Sequence, residues 1–96
     1  MFSTIHEFQW DEGNLTKNGE KHHVSYLESE QTFFNQPLIV QKDVSHSQSE
    51  NRWFLLGKTD TERLLMIIFT ARKKQIRVIS ARPMSRKERK IYEQNT

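Results

Sequence analysis

The sequence predicts an α+β fold: a mostly antiparallel sheet of four to five strands, two helices after the first strand, and a helix at the C-terminus. Three observations carry that expectation. Apolar residues are concentrated in runs at 52–57, 64–70 and 76–81, separated by short polar stretches. Two capping boxes, S-Y-L-E at 25–28 and S-R-K-E at 85–88, mark helix starts. Near the N-terminus, I-H-E-F-Q-W at 5–10 alternates and sets His6, Phe8 and Trp10 on one face of a short strand.

The elements follow in order. Asp11 can cap a first helix running to about Lys21 or His22, with Glu12 suited to its first turn. Gly13, Asn14, Asn18 and Gly19 give it poor intrinsic propensity, so it needs tertiary packing. A second helix opens at Ser25, with Glu28 reaching back. Leu27, Phe33 and Phe34 mark its apolar stripe, and Asn35 and Pro37 end it. P-L-I-V-Q at 37–41 reads as a strand, and the polar 43–51 as a loop. R-W-F-L-L-G at 52–57 and L-L-M-I-I-F-T at 64–70 are strands, the latter apolar on consecutive positions as expected of a strand covered on both faces. R-K-K-Q at 72–75 is a tight turn, and I-R-V-I-S-A at 76–81 the last strand. Ser85 and Glu88 then open a terminal helix whose apolar anchors are Ile91 and Tyr92.

The 96 residues make one domain, 1–96, with a thin core, since hydrophobic residues are only 34%. With no cysteine, disulfide and thiolate chemistry are excluded. The chain shows neither a signal-peptide pattern nor an apolar run of membrane-spanning length, so a cytoplasmic protein is expected. Charge is unevenly placed. Residues 1–71 hold 6 Lys/Arg against 10 Asp/Glu, whereas residues 72–96 hold 9 against 2. A cationic segment on a mildly acidic body is the footprint of a nucleic-acid or acidic-protein partner. The plainer reading is a solvated basic surface.

Read together, a series of short motifs resembles the BrnT family of type II toxin–antitoxin toxins. They are W-D at 10–11, N-x-x-K-H-x-V-S-Y at 18–26, F-x-x-x-P at 33–37, D-x-x-H-x-x-x-E-x-R at 43–52, T-x-R at 70–72, R-V-I-S-A-R at 77–82 and E-R-x-x-Y at 88–92. The resemblance spans roughly residues 8–93. It implies a compact RelE-like fold and a ribonuclease toxin that blocks translation. It also implies a cognate BrnA-like antitoxin whose ribbon-helix-helix domain binds operator DNA. Departures from the family pattern are His23 where Gly is usual, Asn14 where Lys is frequent, and Pro83 after the last strand Arg. A Gly at 23 would suit a left-handed helix cap, a conformation His tolerates at a cost.

The chemistry can also be approached from the residues. Cleavage of RNA by its own 2′-hydroxyl needs a base, an acid for the leaving oxygen, and cations for the phosphorane charge, with no metal or other cofactor. Arg52, Arg72, Arg77 and Arg82 are candidates for the cations, because a guanidinium grips phosphate oxygens bidentately. His46 and Glu50 are candidates for proton transfer, with Tyr92 at longer reach. Lys73, Lys74, Arg86, Lys87, Arg89, Lys90 and Tyr92 are candidate contacts for RNA or antitoxin. The cations at 86–90 oppose the positive end of their own helix dipole, which suggests an outside partner. Plainer roles stand beside each. Arg77 could pair with a carboxylate beneath a helix, Glu50 with Arg52 across strands, and Trp10 could belong to the core. Arg77 and Arg82 lie five residues apart, so a straight strand would point them to opposite faces unless a bulge re-aims one. His22, His23 and His46 do not form a metal motif. The alternatives to a nuclease toxin are a non-catalytic antitoxin- or nucleic-acid-binding module acting in transcriptional autorepression, and a general RNA-binding domain.

Overall fold

A computed structural model describes residues 7–10, 17–44, 51–72 and 74–96. Its elements are β1 (Glu7–Phe8), α1 (Lys17–His22), α2 (Tyr26–Gln31), β2 (Ile39–Lys42), β3 (Arg52–Lys58), β4 (Leu64–Arg72), β5 (Gln75–Pro83) and α3 (Arg86–Gln94). The order matches the one expected. The expected cap at Asp11 lies outside the described residues. The strands form one five-stranded sheet in the order β1-β5-β4-β3-β2. Neighbours β2 to β5 are antiparallel, and β1 adds a short parallel edge through Glu7↔Gln75 and Phe8↔Ile76.

The sheet is covered on both faces, as the consecutive apolar run of β4 required. One face carries Leu55, Leu65, Ile67, Phe69, Ile76, Val78 and Ala81, which join Val24 and Phe33 in the main core. Here α1 packs on β5. Each large side chain buried in this way contributes about 1.5–3 kcal/mol. The opposite face carries a smaller core of Leu56, Met66, Met84 and Tyr92, over which α3 lies. Trp10 packs against the main core, with its indole N–H donating to Glu30 Oε2 at 2.9 Å and its ring edge-on to Tyr26.

Both capping boxes form as read from the sequence. Ser25 Oγ accepts from the Glu28 amide at 3.1 Å, and Ser85 Oγ from the Glu88 amide at 3.2 Å. Both carboxylates reach back to the cap amides. Each cap glutamate also takes an arginine, Glu28 that of Arg63 and Glu88 that of Arg82. Arg63 donates to both oxygens of Glu28 at 3.2 Å and to the His23 carbonyl at 2.7 Å, so one guanidinium ties the end of α1 to the start of α2. His23, between these helices, has φ 56°. It occupies the left-handed cap at which a glycine was the family's usual residue.

Helix α2 is shorter than expected. It ends at Gln31, capped by Thr32, and Phe33 and Phe34 lie in the turns beyond it. The Leu27–Phe33–Phe34 stripe is therefore not a helix face. Phe33 is in the core and stands edge-on to Phe69, whereas Leu27 and Phe34 are exposed. β3 passes close to this end of the helix, where a Cβ on Gly57 would meet the Thr32 carbonyl at 3.1 Å.

Candidate nucleic-acid interface

The β4–β5 pairing decides where the arginines point. Ile68 pairs with Ser80, but its neighbour Phe69 pairs with Val78, leaving Ile79 as an extra residue in β5. Such a bulge inverts the alternation of side chains beyond it. Before it, Arg77 pairs with Thr70; after it, Arg82 pairs with Met66. Thr70 and Met66 are four residues apart on one strand, so Arg77 and Arg82 share a face. A straight strand would have separated them. It would also have put Ala81 in phase with Arg77, but Ala81 faces the main core with Ile76 and Val78.

Three rungs of side chains now define the open part of that face. The first holds Arg72 and Gln75, with Glu7 continuing it on β1. The second holds Arg52, Thr70 and Arg77, and Asp43 joins it, its amide donating to the Arg52 carbonyl at 2.8 Å. The third holds Gln41, Phe54, Ile68 and Ser80. Arg52, Arg72 and Arg77 are thus brought together on adjacent strands. Between two of them stands Thr70, buried, with a hydroxyl that has no hydrogen-bond partner among the described residues. Thr70 opens the T-x-R motif at 70–72, but the sequence did not single it out as functional.

Arg82 is placed differently. Its rung lies about 13 Å along the strands from that of Arg77. Both of its terminal nitrogens donate to Glu88, each at 2.8 Å, and one also reaches the Pro83 carbonyl at 3.1 Å. The bond to Glu88 pushes the Arg82 guanidinium above its already high value, against partial burial. Burial works to raise the Glu88 carboxyl, but the hydrogen bonds from Arg82 and the Ser85 amide outweigh it and hold it below the ordinary 4.5. Arg82 thus pairs with a carboxylate that belongs to a helix. This pair answers the cation-rich start of α3: Glu88 offsets the local charge and anchors the helix to the sheet.

Tyr92, expected as a contact for RNA or antitoxin, is buried, and its hydroxyl donates to the Pro37 carbonyl at 2.6 Å. Burial raises its phenol. With Met84 it docks α3 more firmly than two apolar residues suggested. Arg86, Lys87, Arg89 and Lys90 are exposed on α3, and Lys74 is exposed in the β4–β5 turn. Lys73, His46 and Glu50 lie outside the described residues, His46 and Glu50 within the segment that joins Asp43 to Arg52. No group of three or more His, Asp or Glu is arranged to hold a metal, and no helix is long and apolar enough to cross a membrane, among the described residues. Arg63, which the sequence reading passed over, carries no chemical signature in its neighbours and is found only through its three-dimensional contacts.

The fold is thus a small mixed sheet with helices on both faces and arginines clustered on the open part of one of them. The family comparison is more specific. Residues 10–88 match the model of the ribonuclease toxin BrnT of type II toxin–antitoxin systems. The chain belongs to this family, and is a ribonuclease toxin whose family implies an antitoxin partner. The fold is similar to the crystal structure of the Brucella abortus ribonuclease toxin BrnT, with a TM-score of 0.61 at 20% identity over 83% of this chain and 97% of that one. No curated protein matches the chain in sequence.

Proposed function

We propose that residues 1–96 act in the cytoplasm as a single toxin domain that cleaves RNA through the RNA's own 2′-hydroxyl, without a metal, and so inhibits translation and growth. The observation that carries this reading is the register across β3, β4 and β5, which pairs Arg52 with Thr70 and Thr70 with Arg77 and so sets Arg77 on the same face as Arg52 and Arg72. Three guanidiniums on adjacent strands suit a pentacovalent phosphorane, whose negative charge grows as the 2′-oxygen attacks. His46 and Glu50 are the proton-transfer pair in this scheme. The segment that carries them begins and ends on the arginine rung, at Asp43 and Arg52. Arg82 acts through Glu88, holding α3 and its exposed cations beside the face. Those cations, with Lys73 and Lys74, contact RNA phosphates or an acidic stretch of a BrnA-like antitoxin. Operator DNA is reached only through that antitoxin.

The test is cleavage of a defined RNA by the purified chain, in EDTA, with Arg52→Gln, Arg72→Gln, Arg77→Gln and His46→Ala beside it. Expected are products ending in 2′,3′-cyclic phosphate and a fall of about 100-fold or more in the Arg77 and Arg52 variants. Cleavage abolished by EDTA, or undiminished in Arg77→Gln, overturns the scheme.

A further inference from the structure

Between the arginine rung and α3 lies a groove of about 410 Å³. This is within the range of small-molecule sites, about 300–1,000 Å³. Its floor is Phe54 and Ile68, which are directly paired on adjacent strands and only half-buried. Ile39 and Ile91 wall it, Gln41 and Lys87 stand at its rim, and the carboxylates of Asp43 and Glu88 also line it, Glu88 already paired with Arg82. The floor rung is about 7 Å along the strands from that of Arg52, Thr70 and Arg77. The groove therefore has an apolar floor with an aromatic ring, the exposed ammonium of Lys87 on one side and, past Asp43 on the other, the neighbouring rung that carries Arg52 and Arg77. Cation, flat apolar surface, cation is the complement of phosphate, base, phosphate along a single strand of RNA.

We propose that this groove holds a nucleobase of the RNA substrate, with Phe54 stacking on it and the side-chain amide of Gln41 reading its edge. The inference rests on the ribonuclease reading and assigns its base preference to this groove. Phe54 supplies a π-face that any base can use. Gln41, exposed on edge strand β2 with both a donor and an acceptor, is the residue able to discriminate.

The test is titration of the full chain with inorganic phosphate and with the four nucleoside 3′-monophosphates, in the wild type, Phe54→Leu and Gln41→Ala. Base–aromatic stacking predicts at least one nucleotide binding about 5- to 140-fold more tightly than phosphate. Phe54→Leu should cancel that advantage and leave phosphate affinity in place. Gln41→Ala should level the differences among the four nucleotides. Should Phe54→Leu fail to fold, Gln41→Ala, on the exposed edge, still decides. Phosphate binding with no nucleotide advantage, or an advantage that survives in both variants, overturns the base site while leaving the ribonuclease reading intact. Variants that keep nucleotide binding but lose the antitoxin assign the groove to that partner and likewise overturn the proposal. If neither phosphate nor nucleotide binds and RNA is not cleaved, the ribonuclease reading fails and the base site with it.

Discussion

Replacing Arg82 and Glu88 by Gln, singly and together, separates a positioning role from direct contact with RNA. The pair is joined by two 2.8 Å hydrogen bonds. Unit charges at about 4 Å and an effective dielectric near 20 attract by about 4 kcal/mol. The side chains are 34% and 23% exposed, so solvent screening and desolvation both reduce that figure. The pair sits between exposed pairs, about 0.2–1 kcal/mol, and buried ones whose breaking costs about 3–5 kcal/mol. A coupling of about 1–2 kcal/mol is expected. Glutamine at position 88 still completes a capping box, so the loss reports the charge and not the cap. At about 4–8 °C per kcal/mol for a domain of this size, each single variant should melt about 4–16 °C lower. The double variant should melt close to the singles. Cleavage of RNA by Arg82→Gln and Glu88→Gln should fall by the same modest factor. Stability effects that add within about 0.5 kcal/mol would refute the coupling. Cleavage lost about 100-fold in Arg82→Gln but kept in Glu88→Gln would show instead that Arg82 leaves Glu88 to grip the substrate.

Three further outcomes follow from the structure. The carboxyls of Glu28 and Glu88 both lie below their ordinary 4.5 in the folded chain. Their stabilisation should be complete above about pH 4.5 and lost as pH falls through the lower folded values, and Glu88→Gln should flatten that acid limb in urea melts taken across pH. Thr70→Val removes a buried hydroxyl without a partner among the described residues, so denaturant unfolding should show stability unchanged or raised by up to about 2 kcal/mol. A loss of cleavage in that stable variant would assign the hydroxyl to the phosphate. Gly57→Ala should cost about 1–3 kcal/mol in denaturant unfolding, because its Cβ would meet Leu55 Cδ2 at 2.9 Å and the Thr32 carbonyl at 3.1 Å.

The order of elements, the two capping boxes and the doubly covered β4 were legible in the chain, because each is set by neighbours three or four positions away or by a simple period. The left-handed cap at His23 was legible too, from the glycine usual at that place. The extent of α2 was not. Leu27 and Phe34 look like a helix stripe, but the helix ends at Gln31, before Phe34. The parallel edge strand β1 was likewise beyond reach, because nothing local records which distant strand it meets.

The candidate site divides in the same way. Its residue types, the arginines of 52–82 and the cations of 86–90, are written in the sequence, and so is their likeness to one toxin family. Which arginines lie on one face was decided only by folding. The register of β3, β4 and β5 sets Arg77 on the face of Arg52 and Arg72, one extra residue, Ile79, turns Arg82 to that face too, and one carboxylate, Glu88, takes Arg82 to hold a helix. Local sequence dictates conformation over a few residues. The phase of a strand after a bulge, and the partner of a long charged side chain, depend on contacts that only the assembled sheet creates.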